Sequence, residues 1–371
     1  MLNEKVFFSL LRLGLKTSSD VQKENISDLF LFSEKQWQEL FETATFQGVP
    51  GVVLDGLQVI MDELGSRCFS RFIAPDKWKA FILKWIGEVQ QGYEVGNVRQ
   101  MVVIDAIQRH WAETGIRMML MKGQAVGTYY PEPKHRCPGD IDCYLFEDYT
   151  KGNEAAKKWA DKVDESWYKH SVIAYGGQTI ENHQYFVHTR EGKKSKKLNQ
   201  TLCNTLKNGE FETLPGTKVL LPPSMFNALF LTYHAQAHFL EEGLKLKQLL
   251  DWAMFLKRDA NKIDWPYFYS VCEKYHMRRF AEVATDIAVH YLGVKIDNTT
   301  IITRSPYTEK VIHSTLYDKD FVFNSGQSGW ANRWHIVKNL FKYRWKYRDI
   351  YQHSTIWQLW WYAVGFVFKG E

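Results

Sequence analysis

Apolar positions along the chain change period twice. From residue 1 to about 95 they recur at helical spacing, as in FFSLLRLGL and EKQWQELFETATFQG. Gln47-Gly48 and Val49-Pro50-Gly51 punctuate the second of these segments. Residues 77–92 and their continuation to 111 predict one or two longer amphipathic helices. Near Gly115 the pattern shifts. Residues 116–121 (IRMMLM) suit a short buried strand closed by Lys122-Gly123. Residues 124–130 can make two helical turns before Pro131 and Pro133 stop them. After the loop KHRCPGD, residues 140–146 alternate and predict a second strand. Residues 153–164 read as a charged helix. Residues 167–175 and 178–187, joined by Gly176-Gly177, carry the signal of a hairpin. Residues 189–199 (TREGKKSKKLN) read as a basic loop. Beyond Pro222-Pro223 the helical period returns in 226–242, 245–257, 267–275 and 279–291.

This order predicts an α+β protein. A small mixed-sheet core over 96–215 is flanked by a helical region, 1–95, and a second one, 216–371. The composition agrees: 45% of the 371 residues are hydrophobic and 24% charged, which is enough apolar mass to bury a core and excludes general disorder. The net charge of +5 permits anionic ligands without demanding a nucleic acid, and no specific nucleic-acid partner is expected. Five cysteines, an odd number without a CxxC pair, argue against a disulfide framework and a structural zinc site. The N-terminal apolar run lacks a secretory pattern, and no stretch reaches the roughly 18 apolar residues of a spanning helix, so the expectation is a cytoplasmic protein.

Asp140-Ile141-Asp142 opens the second predicted strand, so both carboxylates point to one face while Ile141 and Cys143 point into the core. Carboxylates so close stay ionised together only beside a cation or strong donors. Hard oxygen ligands favour Mg2+ or Mn2+. In QTIENHQYF, Glu181 and His183 share one strand face, and Glu181 would supply a third carboxylate from a neighbouring strand. Lys122-Gly123 sits at a strand end, where a glycine lets a phosphate approach the backbone. Arg136, four residues before Asp140, is placed to clamp phosphate oxygens.

The segment MLMKGQAVGTYYPEPKHRCPGDIDCYLF resembles the signature of the uncharacterised nucleotidyltransferase family, which is similar to polymerase-β-type nucleotidyltransferases. Its elements are an apolar strand, Lys-Gly, an aromatic-rich helix, an arginine and Gly-Asp-Ile-Asp. GGQTIENH resembles a later strand of the family, with Glu181 and His183 matching and Asn182 standing where an apolar residue is usual. In 224–257, His234, His238, Gly243 and Asp251 match, and Lys247 stands where an arginine is common. The resemblance implies a nucleotidyltransferase-like fold that transfers a nucleoside monophosphate from a nucleoside triphosphate to an acceptor hydroxyl. Asp140, Asp142 and Glu181 would hold catalytic metal, with Glu181 orienting the acceptor. Lys122, Gly123, Arg136 and Gly139 would handle the nucleotide. The wider superfamily has Gly-Ser or Gly-Gly where this chain has Lys122-Gly123.

Other features have two readings each. His234 and His238, four apart on a helix, either pack at a core edge or line the acceptor side of a cleft with His183 and Asp251. HAQAH lacks the glutamate of a zinc protease, and EGKKS lacks the first glycine of a P-loop. Residues 331–371 hold seven Lys or Arg, two acids and twelve aromatics. That mixture suits an anionic membrane surface at the inner face, or a segment packed back on the protein. Residues 356–368 would be about 20 Å long as a helix, too short to cross a core of about 30 Å. For the whole chain the alternative to an enzyme is a nucleotide-binding scaffold that keeps the fold without turnover.

Overall fold

A computed structural model describes residues 2–65, 74–318 and 341–352. Seven strands form one mixed sheet: β1 (Met119–Leu120), β2 (Ile141–Tyr144), β3 (Lys162–Asp164), β4 (His170–Tyr175), β5 (Gln178–His183), β6 (Glu212–Thr213) and β7 (Leu220–Leu221), in the order β3-β4-β5-β2-β1-β7-β6. The pairs β2–β5 and β1–β7 run parallel and the others antiparallel. The architecture is the expected α+β sheet with helical flanks.

Strand alternation gives the sheet two unlike faces. One carries Leu120, Ile141, Cys143, Ile173 and Ile180, which pack with Val103, Ile104, Ile107 and Trp111 of the helix Val95–Glu113. The other carries Met119 and Met121 into a larger core shared with the helices. That core joins the two ends of the chain. Phe7, Leu11 and Trp37 belong to it, as do Phe226, Phe239 and Trp252. Arg12 Nη1 donates to the Tyr291 carbonyl (2.8 Å) and the Gln47 carboxamide spans from the Leu246 N–H to the Thr315 carbonyl (2.9 and 2.7 Å).

The long helix signal over 77–111 is one rod. Pro75–Val89 continues through a π turn at Gln90–Glu94 into Val95–Glu113, with Gly92 in the wide turn. The hairpin forms as expected, and Gly176 and Gly177 both have positive φ (57° and 71°), as a two-residue turn of this hand requires.

Two expectations need correction. The helix expected over 153–164 lies at Tyr149–Ala156, and 162–164 form edge strand β3. Ala155 and Ala156 end the buried stripe, after which pairing with β4 captures the chain. The basic loop expected over 189–199 is largely helix, Lys193–Lys207, because Leu198, Leu202 and Leu206 fall on one buried face behind the leading lysines.

Of the aromatic tail, residues 341–352 pack on the helical body. Lys346 Nζ and Tyr347 Oη donate to the carbonyls of Phe239 and Leu240 (3.1 and 2.8 Å) near the end of the helix Ser224–Glu241, satisfying acceptors that the helix leaves open. Residues 356–368 lie outside the described residues. Among the described residues no helix is long and apolar enough to cross a membrane.

Candidate active site

Register builds the centre of the site. In the parallel pair β2–β5, Asp142 lies directly opposite Glu181. In the hairpin β4–β5, His170 lies opposite His183 and Val172 opposite Glu181. All of these side chains therefore share the face away from Ile141 and Ile180. Asp140 precedes β2 and is exposed, at the open side of the group.

His183 Nε2 lies 3.0 Å from Asp142 Oδ1 and 3.3 Å from Glu181 Oε2, and His170 Nε2 lies 3.5 Å from Glu181 Oε1. Lys122 Nζ reaches the same Asp142 Oδ1 at 2.8 Å and donates to His234 Nε2 at 2.9 Å. His234 in turn meets His238 at 3.2 Å, and His238 Nδ1 meets Glu242 Oε2 at 2.9 Å. An unbroken polar chain thus runs from Glu242 at the surface to His170 in the sheet.

The carboxylates do not respond alike. Burial pushes the Asp142 carboxyl up, but Lys122 and His183 outweigh it and hold the group well below its ordinary range. Burial also pushes Glu181 up, and the His183 hydrogen bond brings it net below its usual value. Asp140 is raised, first by burial and then by the charges of Glu181 and Asp142. His234 is held well below its ordinary value by burial, with Lys122 adding to the effect.

The Lys122-Gly123 turn is bent sharply. Lys122 has φ 44° and ψ −151°, and Gly123 has φ 45°. A side chain rarely adopts that region, and holding one there costs on the order of 1–3 kcal/mol. This explains the glycine usual at the first position, and the ion pair to Asp142 keeps the lysine in place. At Gly123 a Cβ would meet the Asp140 carbonyl oxygen at 3.6 Å, so the turn lies against the start of β2.

Two other sequence candidates pair with each other. Arg136 Nε and Nη2 donate to Asp251 Oδ1 and Oδ2, both at 2.8 Å, and Tyr130 Oη donates to the same Oδ1 at 2.7 Å. Burial works against the Arg136 charge and Asp251 more than restores it. The structure therefore joins Lys122, Asp142, Glu181, His183, His234 and His238 through direct contacts, leaves Asp140 exposed at the edge with Gly123 in the turn against it, and sets Arg136 and Asp251 aside as a closed pair. Gly139 lies on the loop between them. Asn97 Nδ2 donates to the carbonyls of Lys134 and Arg136 (2.6 and 2.9 Å), Gln100 donates to the Gly139 carbonyl, and Gln124 joins the two amides.

Those three amides went unnoticed in the sequence because they sit in helical stretches that read as packing. Lys169 also went unnoticed. Its ammonium is depressed by burial and by Lys122, and it feels Glu181 and Asp142. Among the described residues its Nζ makes no hydrogen bond or ion pair. Asn182, the departure from an apolar position, faces the other side of the sheet, where its Nδ2 donates to Asn153 Oδ1 (2.8 Å) beside Ser171. Just past His183, a cavity of about 580 Å³ opens between Tyr168, Tyr185, Arg190, Lys193 and Lys196.

Hard carboxylate oxygens and imidazoles converging beside lysines, on a mixed sheet flanked by helices, fit a divalent ion, since Asp140, Asp142 and Glu181 crowd three carboxylates at one edge, where burial and the neighbouring charges raise Asp140. These features define a nucleotidyltransferase-like class. The chain matches the model of the family described as uncharacterised nucleotidyltransferase over residues 33–293, and it belongs to that family. Nucleotidyl transfer and a nucleotide substrate are what membership implies. No curated protein and no solved structure matches the chain.

Proposed function

We propose that the chain is a metal-dependent nucleotidyltransferase that moves a nucleoside monophosphate from a nucleoside triphosphate to the hydroxyl of a sugar, small molecule or protein. The observation that carries this reading is the side-by-side placement of Asp142 and Glu181 on parallel strands, with Asp140 at the open edge and Lys122 on Asp142. Asp140, Asp142 and Glu181 would hold Mg2+ or Mn2+, which when bound neutralises phosphate charge and activates the attacking oxygen.

The chain's own residues supply the rest. The acceptor oxygen forms a bond to the α-phosphorus while the bond to pyrophosphate breaks in line. Glu181 would orient the acceptor hydroxyl and take up the proton it releases, with His183 Nε2 3.3 Å away. Lys122 and Lys169 face the phosphates, and the cavity at Arg190, Lys193 and Lys196 receives an anionic part of either substrate. The backbone of Gly123 and Gly139 borders the same edge. The reaction would take place in the cytoplasm, with the tail 331–371 as the segment that could meet a membrane surface.

The test combines pyrophosphate release and thermal stability with ATP, GTP, CTP and UTP, with and without Mg2+ or Mn2+. A metal-dependent rise in Tm and turnover are expected, and Asp142→Asn should lower turnover on the order of 10³-fold, the loss of about 4 kcal/mol of charge stabilisation. A nucleotide-dependent Tm shift without pyrophosphate release, across a panel of hydroxyl acceptors, would favour the scaffold reading instead.

A further inference from the structure

The hairpin places two imidazoles on either side of Glu181. His170 and His183 are cross-strand partners, and Glu181 is diagonal to His170 across Val172. One ligand atom from each of His170, Glu181 and His183 lies within 4.8 Å of the others. Small side-chain rotations close such a set onto one ion at bonds of about 2.0–2.2 Å.

The hydrogen bonds settle which nitrogen is available. His183 Nδ1 lies 3.3 Å from the Tyr185 carbonyl oxygen, which can only accept, so Nδ1 carries the hydrogen. Nε2 is then the nitrogen that faces Asp142 Oδ1 and Glu181 Oε2. Nitrogen and carboxylate oxygens converging in this way make a donor set for one cation. This is the arrangement by which a second partner fixes the tautomer of a metal-binding imidazole. His170 adds a separate observation. Its Nδ1 is enclosed with no hydrogen-bond partner among the described residues, while its Nε2 faces Glu181. A cation seated among His170 Nε2, His183 Nε2 and Glu181 would use all three donors at once, and the partly open side chains of His170 and Glu181 (15% and 22% exposed) give it a way in.

We infer that His170, Glu181 and His183 form a mixed nitrogen–oxygen site that takes a transition-series divalent cation, of the Mn2+ or Zn2+ kind, in preference to Mg2+. Imidazole suits these ions, whereas Mg2+ keeps to oxygen. The inference deepens the proposed function by giving Glu181 two nitrogen neighbours as co-ligands, and it rests on that reading for its catalytic meaning only.

The experiment uses the full chain, stripped of metal and free of nucleotide. Mn2+ is titrated in and followed by EPR, Zn2+ and Mg2+ are titrated by calorimetry, and the Mn2+-loaded protein is examined by pulsed EPR for nitrogen coupling. Nitrogen coupling is expected in the native protein, with Mn2+ and Zn2+ bound at least about tenfold more tightly than Mg2+. His170→Ala should weaken Mn2+ and Zn2+ by at least about tenfold while leaving Mg2+ within about twofold. Absence of nitrogen coupling in the native protein overturns the inference whatever the variants do. So does unchanged Mn2+ and Zn2+ affinity in folded His170→Ala and His183→Gln. Nitrogen coupling without nucleotide turnover would keep the site and remove the transfer reading. Turnover with Mg2+ but no coupling would do the reverse.

Discussion

Two ion pairs that each draw on residues 122–142 behave differently. Arg136 and Asp251 make a one-to-one pair with two parallel hydrogen bonds and a tyrosine hydroxyl on the same carboxylate. Both side chains are nearly buried, at 11% and 9% exposed. Lys122 and Asp142 also pair, but the lysine is shared with His234 and the aspartate with His183, beside Glu181 and Asp140. The first group is balanced and closed. The second crowds three carboxylates at an open edge beside Lys122 and Lys169, so it can take a cation, and through that cation a phosphate, where the first cannot. A balanced buried pair braces a fold, whereas an unbalanced cluster is held ready for a ligand.

The largest effect should separate the two groups by stability. Asp251→Asn leaves the buried Arg136 guanidinium without its counter-charge, and breaking such a pair removes about 3–5 kcal/mol. Urea unfolding should show that loss, while the folded fraction keeps its metal-dependent nucleotide binding. Nucleotide affinity lost without a loss of stability would move Arg136 back among the phosphate ligands.

A smaller effect should come from Lys122→Gly. The substitution returns a glycine to a backbone that favours one, so the turn keeps its shape and loses only the ammonium. A charged hydrogen bond of about 1.5–3 kcal/mol corresponds to a drop of roughly 10- to 100-fold in kcat/KM. Tm should stay within a few degrees. If the variant instead unfolds as Asp251→Asn does, Lys122 belongs with the braces and the contrast between the groups disappears.

Much of this contrast was legible in the sequence, and the part that was not has a physical reason. The alternation in GDIDCYLF puts Asp140 and Asp142 on one face of their strand, and that in QTIENH does the same for Glu181 and His183. The two-residue turn at Gly176-Gly177 sets Tyr175 opposite Gln178, and counting back sets His170 opposite His183. Arg136 looked like a phosphate clamp because its partner is 115 residues away on a helix that the sequence does not dock. The lysines of 193–197 masked a leucine stripe that begins only at Leu198. Local period fixes which face a side chain takes. Which cation a carboxylate meets depends on how helices pack, and periodicity does not carry that.

The smallest effect concerns how the Arg136 loop is held. His135 joins two helical segments: Nδ1 meets Asp55 Oδ1 at 2.7 Å and Nε2 meets Glu94 Oε1 at 3.2 Å. It packs so closely on the helix Pro50–Leu64 that a Cβ on Gly51 would meet its carbonyl oxygen at 2.6 Å. Burial pulls the ring's pKa down, but Asp55 and Glu94 outweigh it and lift it to about 8. In the unfolded chain the value is about 6.5. A folded value above the unfolded one means that the charged ring stabilises the native state. That contribution is fully present below about pH 6.5 and is lost as pH rises through about 8, amounting to about 1–2 kcal/mol. The urea midpoint should therefore fall between pH 6 and pH 9, and His135→Gln should flatten the slope over that window. Because His135 braces the Arg136 loop and does not touch the Asp142 cluster, Mn2+ affinity in the variant should stay close to that of the native protein at pH 7. A variant that keeps the slope but loses Mn2+ would show that the two groups are mechanically joined through the 134–139 loop, and that the closed pair helps to set the open one.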